Sequence, residues 1–213
     1  MALEHLELRR RRFVDLPWTQ LDQRHGSAVV RVVAPGGADG VAGDVAITAL
    51  DDAVLGCWAA DCAPLVLIGR QAEFAVVHAG WRGIAGGVVQ AACTAFREPV
   101  VRAVLGPTIG PCCYEFGTDD LEAVAAGAGT TAAAVRGSTT AGGIALDVPA
   151  AVRAAVGSVC GAVPFDLIAG CTGCRHPGFS HRVRREAGRH VIAVWQTAGP
   201  CGCRSGGVMG ALR

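Results

Sequence analysis

The strongest constraint on the fold is a short apolar run that ends in a glycine-bounded polar corner, residues 74–83, Phe-Ala-Val-Val-His-Ala-Gly-Trp-Arg-Gly. The run 74–77 is typical of a buried strand. Gly80 and Gly83 break it, and the small residues 84–96 that follow predict a helix. Such strand–turn–helix corners are where α/β proteins often bind ligands. The corner therefore predicts a ligand site at this turn.

Other apolar runs alternate with helical segments along the chain. Asp147 is typical of an N-cap, with Pro149 in the first turn of the helix that follows. The N-terminal residues predict an exposed start, with one strand over residues 6–13. Further strands are predicted at residues 28–33, 54–58, 65–68, 100–105, 165–169 and 190–195, and helices at 119–126 and 148–156.

Composition indicates a packed domain without an extended charged surface. Apolar residues make up 51% of the 213 residues and charged residues 17%, which disfavours disorder. The formal net charge of +1 gives no field that would attract nucleic acid or an anionic membrane. The basic run 9–12 has no interleaved aromatic residues, which favours a solvated edge over a nucleic-acid patch.

The N-terminus and the lengths of the apolar stretches predict a cytoplasmic protein. Charge begins at Glu4 without the apolar segment of a signal peptide, and no apolar stretch of membrane-spanning length is free of charge, Pro or Gly. In that compartment most of the ten cysteines are expected to be reduced.

Three residues near the ends of predicted strands form a candidate zinc set. They are His25, Cys62 and His78, and they leave a fourth coordination position open. The residues alone leave a second reading. A lone buried His is more often hydrogen-bonded in the core, a lone buried Cys is usually a small hydrophobe, and the three lack the short spacing of a zinc finger.

Four motifs in order carry a family resemblance: Gln-x-His-Gly-x-x-Val at 23–29, Ala-Asp-Cys-x-Pro at 60–64, His-Ala-Gly-Trp-Arg-Gly at 78–83 and Leu-Gly-Pro-x-Ile-Gly-Pro-Cys-Cys-Tyr-Glu at 105–115. The chain resembles the YfiH/laccase-domain family, whose members are also called multicopper polyphenol oxidases and purine nucleoside phosphorylases. The resemblance covers about residues 15–196. It implies an α/β (α+β) fold of mixed β-sheets packed between helices, with one domain over 1–196 and a Gly- and Cys-containing tail over 197–213.

The resemblance also implies a function. It assigns Zn2+ to His25, Cys62 and His78, and it implies deamination of adenosine and phosphorolysis of adenosine and inosine. The expected partners are a small-molecule nucleoside and phosphate, with no nucleic acid and no membrane. The oligomeric state stays open.

Further site residues each keep two interpretations. Asp61 would orient a ligand or move a proton, or it closes a strand-end turn. Arg82 would bind an anion or form a surface salt bridge, and Trp81 would stack on a base or pack in the core. Arg182, a further substrate-binding candidate, follows His181, which stands where the family commonly has Tyr.

Three other functions compete with the nucleoside enzyme. A copper site acting on phenols is possible as a mononuclear centre, but six His and two Met are too few for a multicopper cluster. A cysteine hydrolase, including a peptidoglycan-editing enzyme, would use Cys62 as nucleophile and His78 or His25 as base. A non-enzymatic binding module would use zinc only for stability.

Two remaining observations concern phosphate and the other cysteines. The longer N-terminal part of the family, with its Arg-, Gly- and Asn-containing motifs, is not found, so deamination is expected to survive better than phosphorolysis. The C-x2-C pair Cys171 and Cys174, with Cys201 and Cys203, permits a second, structural zinc, although C-x-C is not ribbon spacing. The vicinal pair at 112–113 is interpreted as packing.

Overall fold

A computed structural model describes residues 2–174, 178–198 and 204–210, with side chains described within 6–174 and 178–197. The strands are β1 Trp18–Gln20, β2 Val29–Arg31, β3 Val45–Thr48, β4 Ala53–Ala59, β5 Ala63–Gly69, β6 Phe74–Ala79, β7 Val100–Leu105, β8 Arg136–Ser138, β9 Ile144–Leu146, β10 Phe165–Leu167, β11 His190–Ala198 and β12 Arg204–Gly210. The helices are α1 Ala2–Phe13, α2 Trp81–Ala85, α3 Val88–Ala95, α4 Thr118–Gly127, α5 Ala132–Val135, α6 Val148–Cys160 and α7 His181–Arg184, with a 3-10 turn over Pro111–Cys113.

The strands form two mixed sheets and one small hairpin. One sheet has the order β1-β4-β11-β12, the second has the order β10-β7-β5-β6-β3-β2, and β8 pairs with β9. The pairs β1–β4, β10–β7 and β2–β3 are parallel, and the remaining pairs are antiparallel. The predicted α/β fold with mixed sheets and helices is confirmed.

The two sheets pack face to face between helical layers. Along β5, Leu65 and Leu67 face the cluster that the helices cover, whereas Val66 faces the other sheet. Strand β11 alternates in the same way, with Ile192 between the sheets and Val191 on the side of α1. Because successive side chains of a strand point to opposite faces, strands buried on both faces are apolar throughout. This explains the continuous apolar runs in the sequence.

The N-terminal segment corrects a prediction. Residues 6–13, predicted as a strand, belong to helix α1. Its Arg10, part of the basic run predicted to be a solvated edge, is buried, and its guanidinium hydrogen-bonds Gln20 and Asp39. The ion pair and hydrogen bonds offset the cost of burying the charge, so this part of the run is structural.

The helix predicted over residues 84–96 is broken into α2 and α3. The break lies at Gly86 and Gly87, and Gly87 has a φ of 77°, in the left-handed region that glycine adopts without strain. The helix at 148–160 begins as predicted, with the Asp147 carboxylate accepting a hydrogen bond from the Ala150 N–H at 2.9 Å.

The C-terminal part of the chain contributes to the first sheet. Strand β12 pairs antiparallel with β11 from Ile192 opposite Gly210 to Ala198 opposite Arg204. The division into a domain at 1–196 and a tail at 197–213 stays a prediction. Among the described residues, the helices are all too short or too polar to cross a bilayer.

Candidate metal centre and its cavity

The structure brings the three predicted ligands together at one edge of the six-stranded sheet. One ligand atom from each of His25, Cys62 and His78 lies within 4.8 Å of the others. The two imidazole rings meet edge to face, with centroids 4.7 Å apart. Residues that are far apart in sequence therefore form a compact group of two nitrogens and one sulfur.

Strand register explains this convergence. Strands β5 and β6 are antiparallel, and their pairing sets Ala63 opposite Ala79. Cys62, directly before β5, therefore lies beside the end of β6, which carries His78. His25 reaches the same edge from the loop between β1 and β2, where its φ of 60° is in the left-handed region. Such backbone is uncommon for a non-glycine residue and often marks a functional site.

Gly80 has no side chain, and a ring and a sulfur of the predicted ligands occupy the space where one would lie. A Cβ at this position would lie 3.0 Å from Cδ2 of His25 and 3.2 Å from Sγ of Cys62. The φ of Gly80 is −70°, so its backbone places no special demand on glycine. The absence of a side chain is therefore required by the close approach of the two ligands.

Asp44 orients His78, the third predicted ligand, and was not predicted from the sequence as a site residue. The His78 Nδ1 lies 2.9 Å from the Asp44 carboxylate, which leaves Nε2 of that ring for the cluster. The carboxylate also accepts hydrogen bonds from the N–H groups of His25 at 2.9 Å and Gly26 at 2.8 Å. A carboxylate behind a histidine is the usual support of a metal ligand. In the sequence, Asp44 is an acid directly ahead of the short apolar run 45–47.

The electrostatics of the cluster favour a thiolate. Burial raises the pKa of the Cys62 thiol, but hydrogen bonds from His25 and His78 lower it, to about 7 in balance. Burial lowers the pKa of His78, whereas its hydrogen bond to Asp44 and its contact with Cys62 raise it, to about 9. A thiolate is the form of cysteine that acts as a nucleophile and as a metal ligand.

The cluster lies in a cavity of about 1210 Å³. The ligands share its wall with apolar residues, polar residues and several arginines. The other lining residues are Arg9, Leu21, Asp22, Gln23, Trp58, Ala59, Ala60, Asp61, Tyr114, Phe179, His181, Arg182, Arg185, Gly188 and Arg189. A cavity of this size accommodates a drug-sized molecule, and its arginines favour a ligand with an anionic group.

The Asp61 carboxylate is held by two hydrogen bonds. One carboxylate oxygen accepts from the Thr172 hydroxyl at 2.7 Å, and the other accepts from the backbone N–H of Arg182 at 2.6 Å. Its backbone oxygen accepts from the Ile109 N–H at 3.0 Å. Asp61 thus connects the Cys62 turn to the segment that carries α7.

The predicted substrate-binding residues have different positions. Arg182 lines the cavity, and its guanidinium lies 5.3 Å from the centre of the Tyr114 ring. Trp81 packs against the core and meets Phe116 edge to face, and Arg82 lies over its indole at 4.4 Å. Trp81 and Arg82 are not among the described residues that line the cavity.

Tyr114 lines the cavity and was not predicted from the sequence as a site residue. Burial raises the pKa of its phenol to about 12, and the nearby Cys62 acts in the same direction. The phenol is therefore neutral and able to donate a hydrogen bond at neutral pH. It is the only tyrosine in the chain and stands within the motif at 105–115.

Comparison with known proteins settles the family. The sequence profile described as "Multi-copper polyphenol oxidoreductase laccase" matches residues 4–197. The chain belongs to this laccase-like family. The family resemblance predicted from the four motifs is confirmed.

Relatives of the laccase-like chain carry nucleoside-related names. It is 34% identical over 130 residues to "Purine nucleoside phosphorylase YfiH" of Shigella flexneri, covering 56% of the chain and 52% of the relative. It is 33% identical over 165 residues to "Adenosine deaminase RL5" from an unknown prokaryotic organism, covering 72% of the chain and 62% of the relative. The chain thus spans about half the length of the curated relatives it matches.

A solved structure shares the fold of this laccase-like protein. The crystal structure of Neisseria meningitidis protein NMB0706 superposes with a TM-score of 0.72 at 28% identity, covering 86% of this chain and 76% of that one.

The residues fit a metal ion of the kind that the family name implies. The set has borderline-soft nitrogen and thiolate donors, an oriented histidine and a glycine that leaves room for the approach. Among the described residues, this is the one such group that contains histidine. The set suits one ion, and the described residues supply no multicopper cluster.

Proposed function

We propose that this protein is a zinc-dependent purine nucleoside enzyme that deaminates adenosine and cleaves adenosine and inosine with phosphate. The convergence of His25, Cys62 and His78 on the wall of a cavity of about 1210 Å³ carries the proposal. The names of the two relatives above support the substrate class.

The three ligands would hold Zn2+. Bound in such a set, zinc supplies an activated water that is nucleophilic at neutral pH. Asp44 keeps His78 in one ring orientation and one tautomer, with the proton on Nδ1 and Nε2 free to bind. Because three protein ligands converge among the described residues, one position stays available for water or substrate.

The cavity residues supply binding and proton donation in this proposal. The neutral Tyr114 phenol would donate a hydrogen bond to a purine nitrogen or to a ribose oxygen. Arg182 would bind phosphate, because a guanidinium offers paired donors to an anion. Asp61 would act as a positioning residue, since both of its carboxylate oxygens already accept hydrogen bonds. Trp81 and Arg82 remain substrate-binding predictions.

The test combines metal analysis with a nucleoside panel. Purified protein is expected to contain zinc and to convert adenosine to inosine. A chelator should remove this activity, and zinc should restore it. Cys62→Ser should lose activity and the catalytic zinc together, whereas the control Cys160→Ser should keep both, because Cys160 lies on α6 away from the cavity.

Three outcomes would contradict the proposal. Activity that returns with copper and oxygen on phenols would support the oxidase. A metal-free activity that thiol alkylation abolishes would support the cysteine hydrolase, which is favoured by the Cys62 pKa of about 7. Bound zinc without turnover of any nucleoside, with or without phosphate, would leave a binding module.

A further inference from the structure

A second group of metal-ligand side chains lies in the loops beside the cavity. The Sγ atoms of Cys112, Cys113, Cys171 and Cys174 all lie within 4.8 Å of one another. All four are free thiols. The C-x2-C pair suggested a structural zinc from the sequence, but the two further cysteines come from the vicinal pair interpreted as packing. Cys201 and Cys203 lie outside the described residues.

The fold connects the two loops that carry these cysteines. Thr108, after β7, and Cys171, after β10, form a parallel bridge, and the Thr172 N–H donates to the Thr108 oxygen at 3.0 Å. The 3-10 turn over Pro111–Cys113 then brings the vicinal cysteines to the C-x2-C pair. The Sγ atoms of Cys112 and Cys174 are 3.4 Å apart.

Two glycines make the close approach possible. A Cβ on Gly173 would lie 2.7 Å from Cβ and 2.9 Å from Sγ of Cys113. A Cβ on Gly110 would lie 3.1 Å from Cβ of Cys171 and 3.6 Å from Sγ of Cys112. Side chains at either position would push the cysteines apart, so the group depends on glycine in both loops.

Backbone N–H groups point at one of the sulfurs. The Cys171 Sγ accepts hydrogen bonds from Gly110 N–H at 3.1 Å and Gly173 N–H at 3.3 Å, and it also accepts one from the Cys174 N–H. The N–H groups of Gly173 and Cys174, two and three residues after Cys171, therefore both donate to the first sulfur of the C-x2-C turn. Such donors stabilise a thiolate, which is the ligand form of cysteine.

We propose that Cys112, Cys113, Cys171 and Cys174 bind one zinc ion as a closed four-thiolate structural site. With Zn–S bonds of about 2.3 Å, sulfurs of a tetrahedral site lie about 3.8 Å apart. The observed 3.4 Å for one pair and the limit of 4.8 Å for all pairs require only small side-chain adjustments. Four thiolates in tetrahedral arrangement favour zinc over harder cations.

The surroundings suit the charge of such a site. Zinc with four thiolates carries two negative charges. The Arg184 guanidinium donates to the backbone oxygens of Thr172 at 2.8 Å and Gly173 at 3.0 Å, and it is attracted to Cys113. This cation, which also pairs with Glu186 at 2.9 Å, therefore lies beside the cysteines, where it offsets part of the added negative charge.

The site would hold one wall of the cavity in place. Tyr114 directly follows Cys113 and lines the cavity, and Thr172 directly follows Cys171 and hydrogen-bonds Asp61. One zinc ion would connect both loops at these points. The structural site therefore acts on substrate binding indirectly, through the positions of Tyr114 and Asp61.

The experiment measures zinc per chain in full-length variants purified without added metal. Cys62→Ser removes a ligand of the proposed catalytic site, so the zinc that remains reports the four-cysteine site alone. This variant is expected to keep one zinc. The variant Cys112→Ser/Cys174→Ser in the same background should keep none, whereas the control Cys160→Ser should change nothing. X-ray absorption of Cys62→Ser should give four sulfur neighbours at about 2.3 Å.

The result that overturns the proposal is equally specific. It fails if Cys62→Ser contains no sulfur-coordinated zinc, even when refolding with zinc is attempted. It also fails if peptide mapping without reductant finds a Cys112–Cys174 disulfide in freshly purified protein. If the double serine variant does not fold, the absorption spectrum of Cys62→Ser decides alone. Wild-type protein that holds four-sulfur zinc but turns over no nucleoside, with or without phosphate, would contradict only the proposed function.

Discussion

Among individual residues, Asp44 has the clearest link between geometry and metal binding. Burial raises the pKa of its carboxyl, but hydrogen bonds from His78 and the N–H groups of Gly26 and His25 lower it in balance. The group is therefore a carboxylate at neutral pH. It holds His78 through the side chain and His25 through the backbone N–H, and both are proposed ligands.

We expect Asp44→Asn to lower zinc affinity at the His25, Cys62 and His78 site by about 10–100-fold, since supporting carboxylates usually contribute this much. Asp22→Asn is the matched control, because Asp22 also lines the cavity but its carboxylate pairs with the Arg24 guanidinium. Competition with a chromogenic chelator measures the affinity. Equal affinities in the two variants would contradict the orienting role.

Gly80 allows an equally specific residue-scale test. Gly80→Ala adds a methyl group 3.0 Å from the His25 ring and 3.2 Å from the Cys62 sulfur, so zinc affinity should fall about tenfold or more. Gly117→Ala is a close control. Gly117 also precedes a helix, its φ and ψ of −75° and 151° resemble the −70° and 160° of Gly80, and its Cβ would meet nothing within 4 Å.

At the scale of elements, the segment from Thr172 to α7 depends on Asp61. Hydrogen bonds to a charged group contribute about 1.5–3 kcal/mol each. Asp61→Asn keeps the shape but presents an NH2 group to one of its two donors. We therefore expect α7 and Arg182 to shift within the cavity wall. Because this weakens substrate binding, the KM for adenosine should rise about tenfold with little change in kcat. A large fall in kcat at unchanged KM would instead indicate that Asp61 moves a proton.

Sequence patterns predicted the elements with strong local signals and missed those that tertiary contacts decide. Strand β7 has the predicted bounds, because Val100, Ala103, Val104 and Leu105 pack in the two apolar clusters and leave an apolar run that Arg102 alone interrupts. Helix α1 was wrongly predicted as a strand over residues 6–13. The contacts that bury its Arg10 come from Gln20 and Asp39 in distant segments, and a local pattern does not show them. Vicinal Cys112 and Cys113 gave no local sign of the C-x2-C pair 58 or more residues later that they meet.

The candidate site divides in the same way. The motifs identified His25, Cys62 and His78. The register of β5 and β6 brings Cys62 to His78, and the loop between β1 and β2 brings His25 to both. Register is not visible in one sequence, so Asp44 and Tyr114, which reach the site through pairing and loop packing, were not assigned.

For the whole molecule, His190 connects the two sheets. It begins β11 of the four-stranded sheet, it is 1% exposed, and its Nε2 lies 3.2 Å from the Pro107 oxygen beyond β7 of the other sheet. Its Nδ1 accepts a hydrogen bond from the Phe179 N–H at 3.3 Å. The ring therefore fits between a donor and an acceptor only in its neutral form.

Burial lowers the pKa of His190, although the hydrogen bond to Pro107 acts in the opposite direction. The unfolded histidine takes up a proton below about pH 6.5, whereas the folded one resists it. Stability is thus complete above that pH and falls as the pH drops below it, by at most about 1.4 kcal/mol per pH unit for one proton.

His190→Gln keeps a donor and an acceptor but does not titrate. Urea unfolding at about pH 7.5 and about pH 5.5 should therefore show a larger loss of unfolding free energy in the wild type than in His190→Gln. Since acid also weakens zinc binding in both proteins, the difference between them isolates His190, and parallel losses would refute its role.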